Sequence, residues 1–404
     1  NEFFGRENEK KTLQKSYNRL KSELSGINFN SVFISGEPGI GKTALVNYYF
    51  NSRYCKNCFY LENENYGSAY GHFVSLLKKI FKDEKPEVSL RAFAAKIKDN
   101  KLRSNLNSSI PDLISLLKES SAKNTRDENN ENKILAIRNF IGALAYLCSM
   151  EKSPLVIAFD DVQWADSRTV KAINFILDDF RNDFERNYSL QFIFIHRTGY
   201  KININQDAGE KEEIYLDSLE PEAAKKFIES LLIKSGLTLS KKKQIELLHK
   251  SGGNPLFVQE IVEFIKDNKT AIPDSVKEII KTRLELLPQN LVMFLKISSA
   301  LGKEIDAKIV NGVLLKYNFN AITEDELYLL FENNFITIND KEIFLKHDLI
   351  LEGIYDSIEK DEKKLIHERI GFEIEYIYSD KVEHYYFALA DHFTKAAHKE
   401  KMIE

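Results

Sequence analysis

The sequence is poor in cysteine, in long apolar runs and in charge of one sign. Its 404 residues contain three cysteines, too few for a disulfide framework in a chain of this length, and the odd cysteine indicates a reducing compartment. No apolar run approaches the roughly 18 residues that cross a bilayer, so no membrane partner is expected. The 57 Lys and Arg are balanced by 61 Asp and Glu, so a nucleic-acid partner would need a local basic patch. We expect a soluble cytoplasmic protein.

The composition that remains is that of an ordinary globular protein, with 43% hydrophobic and 29% charged residues. At roughly 100 to 200 residues per domain, the length predicts two to four domains. The sequence opens with Asn1 instead of an initiator methionine. It ends in a polar segment, residues 401–404, with no pattern that marks the end of a domain. We therefore expect a fragment of a longer protein.

The first half of the sequence alternates β-type runs with helical periodicity. This alternation predicts an α/β fold with a parallel, doubly wound sheet that is covered on both faces. The predicted strands are 31–35, 58–61, 155–159, 190–195 and 214–216, and the predicted helices include 44–50, 134–147 and 167–180. Residues 121–133 contain no large apolar side chain, which predicts a mobile surface insertion.

The second half is mainly helical. Short helices are predicted from 221 to 266, and further helices lead to two alternating strands, 335–338 and 342–345, around the turn Asn339-Asp340. Helices that end in a β-hairpin suggest a winged-helix domain. The predicted organisation is an α/β core (1–217), a helical lid (218–280), a winged-helix domain (281–378) and the start of a repeat-like helical region (379–404).

A glycine-rich octet, residues 36–43, lies between a predicted strand and a predicted helix. The pattern is that of a Walker A loop, in which glycines let consecutive backbone N–H groups converge on phosphate oxygens, with the positive end of the helix behind them. Lys42 is expected to reach the β- and γ-phosphates of ATP or ADP, and the Thr43 hydroxyl is expected to bind Mg²⁺. The predicted nucleotide-binding residues of the loop are Gly36, Glu37, Pro38, Gly39, Ile40, Gly41, Lys42, Thr43 and Ala44.

Acidic and basic side chains follow two other predicted strands. Asp160 and Asp161 come directly after strand 155–159. Asp160 is expected to bind Mg²⁺ through a water molecule, and Asp161 is expected to orient the attacking water. The alternative is that both carboxylates cap the next turn. Arg197 follows the strand 190–195 and is either a sensor of the γ-phosphate, which we favour, or a surface charge. Lys42, Asp161 and Arg197 are the predicted catalytic residues.

Two further features have structural explanations. Asp166 is expected to cap the helix that begins at Ser167, with Trp164, the only tryptophan, packed under that helix. Cys55 and Cys58 have the spacing of a zinc half-site, but a structural zinc site needs four ligands and the sequence has no second pair. We interpret that spacing as coincidence.

These motifs together resemble those of the STAND class of P-loop ATPases, and most closely the nucleotide-binding modules of large ATP-binding transcriptional regulators and multidomain kinases and cyclases. The resemblance extends over nearly the whole chain. The segments that carry it, in order, are Phe3-Phe4-Gly5-Arg6-Glu7-Asn8-Glu9, the Walker A loop, Asp160-Asp161, Gln163-Trp164-Ala165-Asp166, Arg197 and Gly252-Gly253-Asn254-Pro255-Leu256.

The resemblance implies further nucleotide contacts. Phe4 and Arg6 would border the nucleotide and Pro255 would pack on the base, although Gly253 as a helix C-cap and Pro255 as a helix start would produce the same letters. Related switches carry a Met-His-Asp motif whose histidine holds the ADP β-phosphate. The matching segment here has Lys346 in place of the methionine, so His347 either binds phosphate or is a partly buried neighbour of an N-cap, Asp348.

The resemblance also implies the function. We expect an ATP/ADP-binding regulatory switch with slow, Mg²⁺-dependent hydrolysis, whose partners are a second copy or the effector and sensor domains outside this fragment. One alternative is an origin-initiator-like AAA+ ATPase with a DNA-binding winged helix; it is disfavoured because no Lys or Arg occurs from 317 to 340. The other alternative is a scaffold that keeps nucleotide without hydrolysing it.

Overall fold

A computed structural model defines the fold. It describes residues 2–21, 29–52, 55–62, 70–81, 85–119, 130–182, 188–200, 202–205, 210–268, 272–339, 342–398 and 401. The chain forms two compact units: the first contains Asn1–Glu37 and Gly41–Asp217, and the second contains Pro38–Ile40 and Ser218–Glu404. Most of the predicted insertion (121–129) and the predicted turn residue Asp340 lie outside the described residues.

The first unit is a five-stranded, all-parallel sheet with helices around it, as the α/β prediction required. The sheet order is β2-β3-β4-β1-β5. The strands are β1 (Phe29–Gly36), β2 (Asn57–Leu61), β3 (Leu155–Phe159), β4 (Leu190–Arg197) and β5 (Glu210–Leu216). The helices are α1 (Glu7–Lys21), α2 (Lys42–Phe50), α3 (Gly71–Ile80), α4 (Pro86–Ala95), α5 (Asn100–Glu119), α6 (Asn130–Met150) and α7 (Ser167–Asn182).

The central strands are buried along almost their whole length because both faces of the sheet are covered. All five residues of β3 are buried, and seven of the eight in β1 are buried as well. Strand β4 lies between β1 and β3, with Gly36 of β1 opposite Arg197 of β4, and Phe159 of β3 opposite Phe194. The carboxyl ends of these three strands therefore meet at one edge of the sheet.

Helix α6 is the one helix, among the residues that the structure describes, that is long and apolar enough to cross a membrane. Its side chains Ile137, Phe140, Ile141 and Leu144 are buried in the hydrophobic core of the first unit. A core helix of this kind passes the same test of length and composition as a membrane span. Packing against the sheet thus accounts for its apolar sequence.

The cysteines differ from the sequence interpretation. Cys55 and Cys58 form a disulfide at the start of β2, with Cα atoms 6.3 Å apart, which is within the range that a disulfide spans. Cys148 is a buried free thiol, and burial raises its pKa to about 12. This pairing was not predicted from the sequence; it forms where the chain enters β2 and brings both side chains together.

The second unit contains a small antiparallel sheet and many helices. The sheet order is β6-β8-β7, and the β7–β8 hairpin lies where the sequence predicts two strands. The strands are β6 (Glu304–Ile305), β7 (Ile336–Asn339) and β8 (Glu342–Leu345). The helices are α8 (Pro221–Lys234), α9 (Lys241–Ser251), α10 (Pro255–Asn268), α11 (Val276–Glu285), α12 (Gln289–Leu301), α13 (Ala307–Lys316), α14 (Glu324–Glu332), α15 (Asp348–Ser357), α16 (Lys360–Ile377) and α17 (Tyr386–Ala396). The winged-helix assignment and the domain boundaries after 217, 280 and 378 stay predictions.

Helix α14, which precedes the hairpin, is acidic and partly apolar on its surface. Thr323 and Glu326 form a reciprocal capping box at its start. Its exposed side chains include Tyr328 and Phe331, and none of its nine residues is cationic. Such a surface would repel a phosphate backbone.

A chain of buried hydrogen bonds joins α15, α16 and α17. His367 Nδ1 lies 2.8 Å from His392 Nδ1, and His367 Nε2 lies 2.9 Å from the Tyr355 hydroxyl. Both imidazoles are almost fully buried. Burial lowers the pKa of His367 to about 4, and burial with the neighbouring His367 lowers the pKa of His392 to about 3. The pair is therefore neutral at pH 7.

This pair is expected to make the protein acid-labile. Because the unfolded histidines take up protons near pH 6.5 whereas the folded ones do not, stability is fully present above that pH and is lost as the pH falls towards 4. In this range the free energy of unfolding falls by about 1.4 kcal/mol per pH unit for each histidine. Urea unfolding at several pH values measures the free energy of unfolding. For His392→Asn this free energy should fall less steeply as the pH is lowered, because asparagine keeps a hydrogen-bonding side chain but cannot titrate. An exposed control, His249→Asn, should follow the unmodified protein; equal slopes for all three would contradict the assignment.

Candidate phosphate-binding site

The glycine loop joins the end of β1 to the start of α2. Gly39 and Gly41 have φ angles of 76° and 98°, in the left-handed region that glycine adopts without strain. Lys42 begins the helix and is 9% exposed; its Nζ donates to the carbonyl oxygens of Gly36 and Glu37 at 2.8 and 2.9 Å. The loop therefore places a lysine ammonium and a helix N-terminus together, which is the arrangement that attracts phosphate.

The predicted metal ligands are brought together. The Thr43 hydroxyl donates to Asp160 Oδ2 at 3.2 Å, although the two residues are 117 positions apart. Asp160 Oδ1 accepts the backbone N–H of Asp161 at 3.0 Å, which fixes the orientation of the carboxylate. A hydroxyl and a carboxylate side by side are hard oxygen donors of the kind that Mg²⁺ prefers, so the residues present fit this ion.

Two residues that the sequence interpretation missed hold Asp160. The Tyr60 hydroxyl donates to Asp160 Oδ2, the same oxygen that Thr43 contacts. His72, which is fully buried, forms a 2.9 Å hydrogen bond between its Nε2 and the Asp160 carbonyl oxygen. Burial, followed by the charge of Asp161, raises the pKa of Asp160. The only available signal was that Tyr60 lies in a predicted strand, and the sequence does not show which strand is its neighbour.

Asp161 has an unusual backbone conformation. Its φ of 49° lies in the left-handed region of backbone conformation. Residues other than glycine rarely adopt this region, and those that do are often found at functional sites. Its Oδ1 accepts the Gln163 side-chain amide at 2.8 Å, and Gln163 Oε1 in turn accepts the backbone N–H of Arg197 at 3.3 Å. The alternative of a helix cap does not describe Asp161, because its side chain makes no capping bond to the short 3₁₀ helix that follows.

Arg197 ends β4 and lies opposite Gly36 in the strand register. It is 8% exposed, so it is not a surface charge. Beside it, the Thr198 hydroxyl donates to the Glu37 carboxylate. The role of Arg197 as a γ-phosphate sensor stays a prediction, as does the catalytic role of Asp161.

In the segment after the acidic pair, the helix cap was predicted correctly and the position of the tryptophan was predicted wrongly. Asp166 Oδ1 accepts the backbone N–H groups of Arg168 and Thr169 at 3.0 and 3.1 Å, so it does cap α7. Trp164 does not pack beneath that helix. It is 40% exposed, and its ring lies 5.2 Å from that of Tyr200, because the 3₁₀ turn directs it to the surface.

The N-terminal residues Phe4 and Arg6 lie in the first unit. Arg6 has a φ of 66°, and its guanidinium donates to the Asp217 carbonyl oxygen and lies 3.7 Å from Glu9. Phe4 is half-buried. These contacts hold the segment that precedes α1 against the end of the first unit, and the nucleotide contacts of both residues stay predictions.

The Gly-Asn-Pro segment lies in the second unit. Gly252, instead of Gly253, is the left-handed C-cap of α9, with a φ of 54°. Gly253 is required for another reason: a Cβ there would lie 2.8 Å from the Leu219 carbonyl oxygen. Pro255 is the first residue of α10, as the structural alternative expects. Its contact with a base stays a prediction.

His347 is the N-cap of α15, and Asp348 is the first residue of that helix. The alternative that placed the N-cap at Asp348 is thus displaced by one residue. Burial, and then the charges of Lys346 and Lys303, lower the pKa of His347 to about 4. Without a bound anion, the ring is therefore neutral at pH 7. The contact of His347 with phosphate stays a prediction.

Together, the parallel sheet, the glycine loop with its lysine, and the acidic end of β3 define a P-loop NTPase. The family model of the AAA ATPase domain matches residues 2–190, just under half of the chain. Residues 2–190 are thus similar to AAA ATPase domains, and the first unit has the predicted P-loop NTPase-like fold. No curated protein sequence matches the chain.

Solved structures are similar to this chain. A STAND protein with a tetratricopeptide repeat sensor from Pyrococcus horikoshii is 15% identical, with a TM-score of 0.50, over 98% of this chain and 48% of that one. The chain thus spans about half the length of that protein. A Walker-type ATPase of Pyrococcus abyssi is 16% identical over 87% of this chain and 96% of its own, with a TM-score of 0.43. The RuvB Holliday junction branch migration motor of Thermotoga maritima is 15% identical over 85% of this chain and 92% of its own, with a TM-score of 0.37.

Proposed function

We propose that the protein is an ATP/ADP-binding regulatory switch of the STAND type, with slow, Mg²⁺-dependent ATP hydrolysis. The observation that carries this proposal is the meeting of Thr43 and Asp160 at 3.2 Å beside a loop that surrounds the Lys42 ammonium. A structural turn has no need of a buried lysine, a helix N-terminus and a carboxylate at one place. A nucleoside triphosphate with its metal ion needs all three.

The residues have distinct roles in this proposal. The amides of the loop and the Lys42 ammonium bind the phosphates, while Thr43 and Asp160 hold Mg²⁺. When bound, Mg²⁺ neutralises negative charge on the phosphate oxygens. Asp161, held by Gln163, orients the attacking water, and Arg197 binds the γ-phosphate. We propose slow turnover because no arginine finger is assigned among these residues.

The regulatory part of the proposal rests on the contacts that the STAND resemblance implies. Phe4, Arg6 and Pro255 would contact the nucleoside, and His347 would donate a hydrogen bond to a phosphate of ADP. To reverse a 1:99 population of two conformations, ATP and ADP must differ in preference by about 5.5 kcal/mol. A few charge-assisted phosphate hydrogen bonds can supply that difference. The partners are a second copy or domains of the longer protein, in the cytoplasm.

The direct test is to denature the purified protein and identify the released nucleotide by chromatography. We expect ATP or ADP close to one equivalent, and slow phosphate release when Mg²⁺ and ATP are added. Bound nucleotide without phosphate release would favour the non-hydrolysing scaffold. Absence of bound nucleotide, together with no affinity for added ATP, would reject the proposed function.

Tyr60→Phe is expected to weaken the response to Mg²⁺. Loss of the hydroxyl removes one of the hydrogen bonds that position Asp160 Oδ2 beside Thr43. The Mg²⁺ concentration that gives half of the full effect on ATP binding should therefore rise roughly five- to tenfold. ATP affinity in EDTA should stay unchanged. Fluorescent mant-ATP titrations with and without Mg²⁺ measure both quantities.

Tyr49→Phe is the matched control, because the Tyr49 hydroxyl is also buried and donates to Gln191 Oε1 at 3.1 Å, away from Asp160. Its Mg²⁺ response should equal that of the unmodified protein. An equal response in Tyr60→Phe would remove Tyr60 from the metal site.

A further inference from the structure

The tip of the glycine loop, Pro38–Ile40, belongs to the second unit and is bonded to the start of α10. Asn254 Nδ2 donates to the Pro38 carbonyl oxygen at 3.0 Å. The backbone N–H of Leu256 approaches the Gly39 carbonyl oxygen at 3.3 Å. Two consecutive carbonyl groups of the loop are therefore directed at the first turn of this helix.

The same asparagine also caps the helix that it belongs to. Asn254 Oδ1 accepts the backbone N–H groups of Leu256 and Phe257 at 3.1 and 3.2 Å, which satisfies two donors of the first turn. The cap fixes the orientation of the side-chain amide, since the oxygen is held by the helix and the nitrogen must point away from it. That nitrogen is the atom that reaches Pro38.

Anchoring of the carbonyl groups has a consequence for the amides. In a trans peptide the C=O of one residue and the N–H of the next point in opposite directions, and the described peptide bonds contain no cis bond. When the carbonyls of Pro38 and Gly39 face α10, the N–H groups of Gly39 and Ile40 face the other way. Preorganised amides of this kind are what a glycine-rich phosphate loop uses.

Close packing makes this arrangement specific. A Cβ on Gly39 would lie 2.8 Å from Leu256 Cβ and 3.1 Å from Asn254 Oδ1, and the φ of Gly39 is 76°. Only glycine lets the loop approach the helix so closely. The glycine pattern of the loop and the Asn254 contact are thus two parts of one structure.

We propose that Asn254 is a positioning residue for phosphate: through Pro38 it holds the loop tip so that the Gly39 and Ile40 amides face the nucleotide. This inference rests on the proposed nucleotide binding and adds to it a residue with no direct contact to the phosphates.

Asn254→Asp separates the two roles of the side chain. An aspartate keeps the oxygen that caps α10 but replaces the donor to Pro38 by a second acceptor, which repels the carbonyl. Asn254→Ser retains a capping hydroxyl and is too short to reach Pro38. Both variants are expected to bind mant-ATP roughly tenfold more weakly, because the loop tip loses the hydrogen bond that holds the Gly39 and Ile40 amides towards the phosphates. Both should unfold, without nucleotide, at nearly the same temperature as the unmodified protein.

Asn174→Asp is the matched control, because Asn174 also bridges two backbone groups: Nδ2 donates to Asn203 O at 2.9 Å, and Oδ1 accepts Asn205 N at 2.7 Å. Its ATP affinity should stay unchanged. Unchanged affinity in both Asn254 variants would overturn the proposal. So would weaker binding that merely follows a loss of thermal stability, since Asn254 would then be a helix cap only. If the unmodified protein does not bind ATP, the proposed function fails instead.

Discussion

Lys42→Ala is expected to abolish nucleotide retention. The Lys42 ammonium is nearly buried and is held by two loop carbonyls, Gly36 and Glu37, at the place where phosphate oxygens would replace them. Hydrogen bonds to charged groups contribute about 1.5–3 kcal/mol each, so losing those to two phosphates should weaken ATP binding by about 100-fold or more. Nucleotide content after purification and mant-ATP affinity measure the loss.

A suitable control for this variant is Lys296→Ala. Lys296 is also a partly buried lysine, and its Nζ donates to both carboxylate oxygens of Glu362 at 2.8 and 2.9 Å. We expect this control to lose some stability and to keep its nucleotide. If Lys42→Ala retained as much nucleotide as the control, the loop would not be the phosphate site.

Asp161→Asn is expected to spare ATP binding and to slow hydrolysis by roughly 100-fold, the lower limit for the loss of a residue that accepts a proton from the nucleophile. An asparagine is nearly the same size, and its oxygen can still accept the Gln163 amide, now at 2.8 Å from Asp161 Oδ1. The geometry should therefore survive while the charge is lost. Single-turnover phosphate release and mant-ATP affinity separate the two effects.

The matched control is Asp166→Asn, the same change five residues later in the chain. Asp166 caps α7 through its Oδ1, and an asparagine caps a helix about as well. The control should hydrolyse ATP at close to the unmodified rate. If Asp161→Asn also hydrolysed ATP at the full rate, Asp161 would have only a structural role and another group would orient the water.

The features that could be predicted from the sequence are those encoded in adjacent residues. A strand, a glycine loop and a helix follow one another from Phe29 to Phe50, so their order alone indicates a phosphate loop. The Asp160-Asp161 pair is likewise joined to its strand β3. The hairpin β7–β8 was predictable because alternation and turn residues are local signals. Each of these depends on the backbone conformations of a few consecutive residues.

The tertiary structure decided which distant side chains meet. Thr43 and Asp160, Tyr60 and Asp160, Asn254 and Pro38, and His367 and His392 are pairs whose members come from different elements of the chain. Their contacts depend on strand order and helix packing, which composition and periodicity do not encode. The exposure of Trp164 was mispredicted and the Cys55–Cys58 disulfide was not predicted, because burial and pairing are properties of the packed chain. The sequence by itself determined that a phosphate loop and its acidic partner exist; only the packing of strands and helices determined the side chains that hold them in place.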